Sequence, residues 1–259
     1  MADTQLPDGQ VLFFDLETDQ AFDRCPGATR QQQANYMQVT VLCALECDPK
    51  LCVNPEDANR AVERGTKTHF WRDVVEPGKK HPFEPLFERM DASSVIVAYN
   101  GLGFDYLVLR KHYGHGIEAH RRYLRHRAKT LDPFSRIREA TDVWPKLDTL
   151  LRENGLETKT ANGLEAIKMF EEGRREELLA YCVQDVAAMA RLCLLGELKF
   201  PGLGTIPNAL FGVASCLPTH VRQREDAENF VMVSPPRKRE RDELDGELVD
   251  RPARVLVSA

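Results

Sequence analysis

No apolar run in this sequence of 259 residues approaches the roughly 20 that a membrane helix needs. The opening residues, MADTQLPDGQ, hold no basic segment leading into an apolar one, so no secretory signal is expected. Basic charge is not in excess. Lys plus Arg number 35 against 40 Asp plus Glu, for a formal net charge of −5. That excludes binding to nucleic acid through overall charge, so any such binding has to come from a local basic surface. The seven cysteines are odd in number and no pair is spaced C-x-x-C. A secreted disulfide scaffold is therefore excluded, and a reducing intracellular compartment is expected. Cys43, Cys47 and Cys52 lack a second close pair of Cys or His to complete a zinc site. Cys43 and Cys47, at even spacing on a strand-like run, read as small apolar side chains.

What is present is a chain that can fold. Hydrophobic residues make up 42% and charged residues 29%, enough for one large domain or a domain with a tail. VLFFDLET (11–18) reads as a buried strand, the polar 19–37 as a loop, and QVTVLCALEC (38–47) as a second strand. Pro49 and Asn54-Pro55 mark a turn, 66–72 a third strand, and 83–91 a short helix with Pro85 in its first turn. SSVIVAYN (93–100) is another apolar strand, closed by Asn100-Gly101, and 104–113 looks helical. Helices are expected at 145–154, 162–171 and 174–199, the last ended by Pro201-Gly202. Strands first and helices afterwards, with one alternation between, predict an α/β sandwich built on a mixed sheet. The expected layout is a domain over 8–200, a docking extension over 201–221 and a flexible charged tail over 222–259.

Asp15 and Glu17 stand two apart on one strand, so alternation puts both carboxylates on the same face. Side by side they repel, and they favour a cation or solvent. Asp105 follows the 93–100 strand after a short turn and falls in the first turn of a helix. Tyr181 and Asp185 are one helical turn apart, beside the apolar stripe of the 174–199 helix. Singly, each has a bland reading as a solvated acid or a helix-dipole partner. Together they are four carboxylates from three elements, the donor set that hard divalent cations require for phosphodiester hydrolysis.

FFDLET, AYNGLGFDYLVL and YCVQD, in that order and spacing, resemble the three exonuclease motifs of the DEDD family, Tyr subtype. The segment LDTLLRENGLETKTANGLEAIKMFEEGRREELLAYCVQDV is similar to the third-motif region of stand-alone and helicase-associated members. The resemblance covers about residues 10–200 and implies a ribonuclease H-like α/β fold, a mixed sheet flanked by helices. It further implies 3′→5′ exonuclease activity with two divalent cations, Mg2+ or Mn2+. Carried over, Asp15, Glu17 and Asp185 would hold the first ion, Asp15 would bridge to the second, and Asp105 would act through its waters. Tyr181 would orient the attacking water. Leu16 and Thr18 match places that contact the terminal nucleotide. Asn100 and Phe104 match the second motif's polar and aromatic places, and Lys159 and Asn162 lie in a segment that approaches the site. The implied partner is nucleic acid with a single-stranded 3′ end, DNA ahead of RNA, with a polymerase or helicase as candidate protein partner and no membrane. The long glutamine-rich loop after the first motif leaves the shape of the substrate groove open. A non-catalytic nucleic-acid-binding domain and a structure-specific endonuclease on the same fold remain the alternatives.

Residues 110–138 carry nine Lys or Arg and two acids, with four histidines and two tyrosines between them. Arg121, Arg122, Arg125 and Arg127 are expected to track substrate phosphates, with Tyr113 or Tyr123 stacking on bases and His112 and His115 exposed in a basic loop. Pro235–Arg241 resembles a nuclear localisation signal; without it, the expected location is cytoplasmic.

Overall fold

The computed structural model describes residues 10–47, 54–141, 144, 146–158, 163–200 and 204–207. All belong to one compact unit, Met1–His220; a second unit, Val221–Ala259, lies outside the described residues. The expected tail, the basic run Pro235–Arg241, most of the docking extension, and Lys159 and Asn162 fall outside them too.

The architecture is the expected α/β one, centred on β1 (Val11–Thr18), whose first four residues are apolar and fully buried. A strand so apolar belongs in mid-sheet with both faces covered. It pairs antiparallel with β2 (Val39–Cys47), which pairs antiparallel with β3 (Thr66–Trp71). On its other side β1 runs parallel to β4 (Val95–Val97), which runs parallel to β5 (Thr130–Leu131). The order is β3-β2-β1-β4-β5.

The helices in chain order are α1 (Arg30–Ala34), α2 (Pro55–Arg64), α3 (Glu84–Ala92), α4 (Asp105–Leu109) and α5 (Ile117–Ala128). They continue with α6 (Pro133–Thr141), α7 (Leu147–Glu153), α8 (Gly163–Glu171) and α9 (Arg175–Leu194). Alternation along β1 divides the core in two. Val11 and Phe13 join a cluster with α9 through Cys182, Val186, Met189 and Cys193. Leu12, Phe14 and Leu16 join one on the opposite face with Phe87, Met90 and Tyr106. Continuing the same alternation, Asp15 and Glu17 belong to the α9 side. Among the described residues no helix is long and apolar enough to cross a membrane.

Several elements differ from expectation. The 19–37 segment is not all loop: Thr29 starts α1 with a reciprocal capping box to Gln32, and a 3-10 turn spans Phe22–Arg24. Asn54-Pro55 opens α2 instead of a turn; Asn54 accepts the Asp57 N–H at 2.9 Å, and Pro55 stands in the first helical turn, where no N–H is needed. The last helix stops at Leu194, because Leu195 turns extended and Glu197–Phe200 becomes β6, paired with β7 (Gly204–Pro207). The basic stretch folds as a 3-10 turn (Arg110–Tyr113), then α5, β5 and the start of α6.

Candidate active site

β1 brings in the first two acids. Asp15 lies opposite Cys43 and Glu17 opposite Val41 of β2, and a register shift follows between Glu17 and Thr18. Such an irregularity re-aims the strand's end. Glu17 is buried and Asp15 half-buried.

α9 packs across this face and carries Tyr181, Cys182 and Asp185, all buried. Their spacing sets them on one side of the helix. The Cys182 thiol donates to the Asp15 carbonyl at 3.7 Å. The candidate ligand atoms of Asp15, Glu17 and Cys182 all lie within 4.8 Å of one another. The Tyr181 hydroxyl is held protonated far beyond the ordinary tyrosine range, by burial first and then by Asp185, Glu17 and Asp15, with a hydrogen bond to Asp185 adding to it.

Asp105 is the first residue of α4 and only 2% exposed. Burial and then the charge of Asp15 push its carboxyl well above the usual range, opposed by N–H bonds from its own backbone and from Leu16. Its Oδ1 is buried without a hydrogen-bond partner. A buried carboxylate oxygen facing another acid is costly unless a cation neutralises both. That orphaned oxygen, and a donor set made mostly of carboxylates, fit a hard divalent cation.

A cavity of about 480 Å³ opens over these groups, lined by Asp15, Leu16, Glu17, Thr18, Tyr181 and Asp185. Phe104 and Leu164 add apolar wall, and Phe104 packs edge-on to Phe22 at 5.3 Å. Asp105 and Asn100 are not among the lining residues. Asn100 holds a left-handed backbone (φ 59) in the turn ahead of α4.

None of the arginines of α5 lines this cavity. Arg122 and Arg125 line a different groove of about 640 Å³. Arg122 ion-pairs with Glu84 and Asp91, both at 2.7 Å, and Arg121 with Glu118 at 2.7 Å. Arg127 donates to the Leu102 carbonyl at 3.3 Å and to the Tyr123 hydroxyl at 3.2 Å. Base stacking by Tyr113 or Tyr123 is corrected, since both rings are buried. Tyr113 stacks on Phe87 at 4.0 Å, and Tyr123 meets Tyr106 edge-on at 6.0 Å. His112 is likewise not an exposed loop histidine: it packs edge-on against Phe83 at 4.9 Å, and burial drops its pKa to about 4.

Two residues near the acids escaped the sequence reading. Cys182 reads there only as part of an apolar stripe. Asp132 reads as one acid in a basic run, yet it is 2% exposed and accepts backbone N–H groups from the turn ahead of Asp105. The available signal was its position before Pro133, where an Asp suits a helix N-cap.

A family model described as the RNase_H superfamily matches residues 62–195, over half of the chain. The match contains Asp105, Tyr181 and Asp185 and begins after Asp15 and Glu17. Among solved structures, the family B DNA polymerase from the hyperthermophilic archaeon Pyrobaculum calidifontis is similar, at 15% identity and a TM-score of 0.45. The match covers 72% of this chain and 24% of the polymerase, so the chain spans about a quarter of that protein's length. No curated protein matches.

Proposed function

The chain belongs to the RNase H superfamily, and from that premise we propose that it is a metal-dependent 3′→5′ exonuclease of the DEDD group, Tyr subtype. The observation that carries the reading is the meeting of β1 and α9, which sets Tyr181 close enough to Asp15, Glu17 and Asp185 for all three charges to act on its hydroxyl.

In this reading Asp15, Glu17 and Asp185 would hold one divalent cation, and Asp15 would help hold a second, with Asp105 acting through its waters. Bound Mg2+ or Mn2+ supplies charge neutralisation of the phosphate and activation of water. The protein's own part is positional. Tyr181, whose hydroxyl burial and the neighbouring acids hold to its proton, would orient the water that attacks phosphorus in line with the leaving 3′ oxygen. Leu16, Thr18 and Phe104 border the cavity where the terminal nucleotide would lie, and Phe104 offers a ring to its base. Residues 8–200 would form the catalytic domain. Asn100 would act through the turn that delivers Asp105. Lys159 and Asn162 would approach the substrate from the segment before α8. Arg121 and Arg125 would contact phosphate only for a strand long enough to reach α5.

The test is digestion of end-labelled single strands with Mg2+ or Mn2+, by wild type and by Asp15→Ala and Asp185→Ala. Stepwise release of nucleoside monophosphates from a free 3′ end, lost in both variants, is expected. Equal activity in wild type and variants would sink the proposal. A panel of DNA and RNA with free and blocked 3′ ends identifies the substrate, and cutting of a circular strand would point to an endonuclease.

A further inference from the structure

Asp105 follows a turn whose own closure is slight: within it the Gly103 N–H donates to the Asn100 carbonyl at 3.1 Å. Asn100 adopts the left-handed backbone region (φ 59), which asparagine tolerates better than other residues with a side chain. Gly101 beside it has no room for a side chain against Ala98. The turn then feeds α4 directly, with the Tyr106 N–H donating to the Gly101 carbonyl at 2.9 Å. Two side chains hold this turn from outside: Arg127 donates to the Leu102 carbonyl at 3.3 Å, and Asp132 takes its N–H groups. Asp132, immediately after β5, accepts the Asn100 N–H on Oδ1 at 2.8 Å and the Leu102 N–H on Oδ2 at 3.1 Å. Oδ1 also accepts the Ser135 N–H at 3.3 Å, in the first turn of α6. Asp132 is 2% exposed, and burial pushes its carboxyl above the usual range. A buried acid held by backbone N–H groups and the Ser135 side chain is an expensive way to shape a turn, unless the turn's exact setting matters.

We propose that Asp132 is a positioning residue for the catalytic site: its two oxygens pin the Asn100–Leu102 turn to the end of β5 and the start of α6, and so fix where Asp105 presents its carboxylate. The inference rests on the exonuclease reading of Asp105. Asparagine cannot replace it, because one of its two terminal atoms is an amide donor that would face an N–H. Through Asp132 the parallel edge of the sheet is tied to the second carboxylate site, while Asp15, Glu17 and Asp185 are placed independently by β1 and α9.

The experiment compares wild type, Asp132→Asn and Asp132→Glu, with Asp105→Ala as reference, using the full chain. For Asp132→Asn, kcat is expected to fall about 10–100-fold, as for partners that orient metal ligands. KM for the oligonucleotide should stay within about twofold. Mn2+ affinity, measured calorimetrically without substrate, should weaken in the direction of Asp105→Ala. Amide hydrogen exchange at Asn100 and Leu102 should quicken. Asp132→Glu keeps two acceptors on a longer arm and should fall between wild type and Asp132→Asn in kcat and in Mn2+ affinity. A wild type that binds Mn2+ and cuts, with Asp132→Asn indistinguishable from it, overturns the inference alone. So does a loss of kcat and KM together with a melting-temperature drop of equal size in both variants. A wild type that neither binds Mn2+ nor cuts overturns the reading of the acids, and the inference falls with it.

Discussion

His126 has no exposed surface and sits between an acid and a phenol. Its Nε2 lies 2.8 Å from Asp91 Oδ1 and its Nδ1 2.8 Å from the Tyr113 hydroxyl. An ionised Asp91 can only accept, so Nε2 carries the proton and Nδ1 takes the Tyr113 O–H. That arrangement satisfies a neutral ring. Burial drops the His126 pKa to about 4 although Asp91 pulls the other way, while His126 and Arg122 hold Asp91 below its usual range. The unfolded chain therefore binds this proton more readily than the native one. The stabilisation from a neutral His126 is complete above the ordinary histidine value of about 6.5, and it is lost as pH falls from there toward 4. The loss should reach on the order of 3 kcal/mol. His126→Gln should flatten the slope of unfolding free energy against pH across that window, measured by urea titration. His112, depressed in the same way, leaves a residual slope. An unchanged slope in the variant would mean that His126 binds its proton equally well in the folded and unfolded chain.

At the scale of the element, α5 separates the roles of arginines that look alike in sequence. Arg122 is 20% exposed and joins α5 to α3 through Glu84 and Asp91, so Arg122→Ala leaves these two acids with histidine partners, His81 and His126. It should cost roughly 1–3 kcal/mol. Arg121 and its partner Glu118 are 62% and 74% exposed, and Arg121→Ala should cost no more than about 0.5 kcal/mol. Thermal melts distinguish the two, since 1 kcal/mol moves the midpoint by roughly 2–4 °C in a domain this large. Equal melting temperatures would show that the Arg122 pairs contribute nothing. The same helix shows what the sequence could and could not convey. β1, β2, β3, α3, α7 and α8 were legible because apolar periodicity and caps are local, and Asp15, Glu17, Tyr181 and Asp185 were legible because their spacing on one strand and one helix fixes their faces. The partners of Arg122 were not, since Glu84 and Asp91 come from another helix. Neither was the burial of Tyr113 and Tyr123, which a mean charge over 110–138 conceals. β6 was missed because the helical pattern of α9 runs on through Leu195, and only pairing with β7 makes Glu197–Phe200 extended. Asp132 was unreadable as a clasp because its acceptors serve a turn about thirty residues away.

For the molecule as a whole, a net charge of −5 and a cluster of buried acids set folding stability against the proposed binding of cations and phosphates. Without a cation, Asp105 and Asp15 oppose each other. The Asp105 carboxyl is raised, so the native state holds its proton more tightly than the unfolded chain does. Stability of the metal-free protein should therefore fall as pH rises from the ordinary carboxylate value upward through the raised one. Asp105→Asn removes that loss, and near neutral pH the metal-free variant should melt higher than metal-free wild type. Mn2+ should reverse the order. At a hundredfold excess over its dissociation constant a cation that binds only the native state adds about 2.7 kcal/mol, and wild type should gain more from it than the variant, which lacks one carboxylate. Chelation should also weaken capture of a single-stranded oligonucleotide, measured by anisotropy under conditions that block cleavage, because uncompensated carboxylates then face the incoming phosphates. Melting curves of both proteins with Mn2+ and with chelator decide the matter. If the curves do not cross, Asp105 is a structural acid that takes no part in holding a cation, and the trade between stability and metal binding assigned to this fold is wrong.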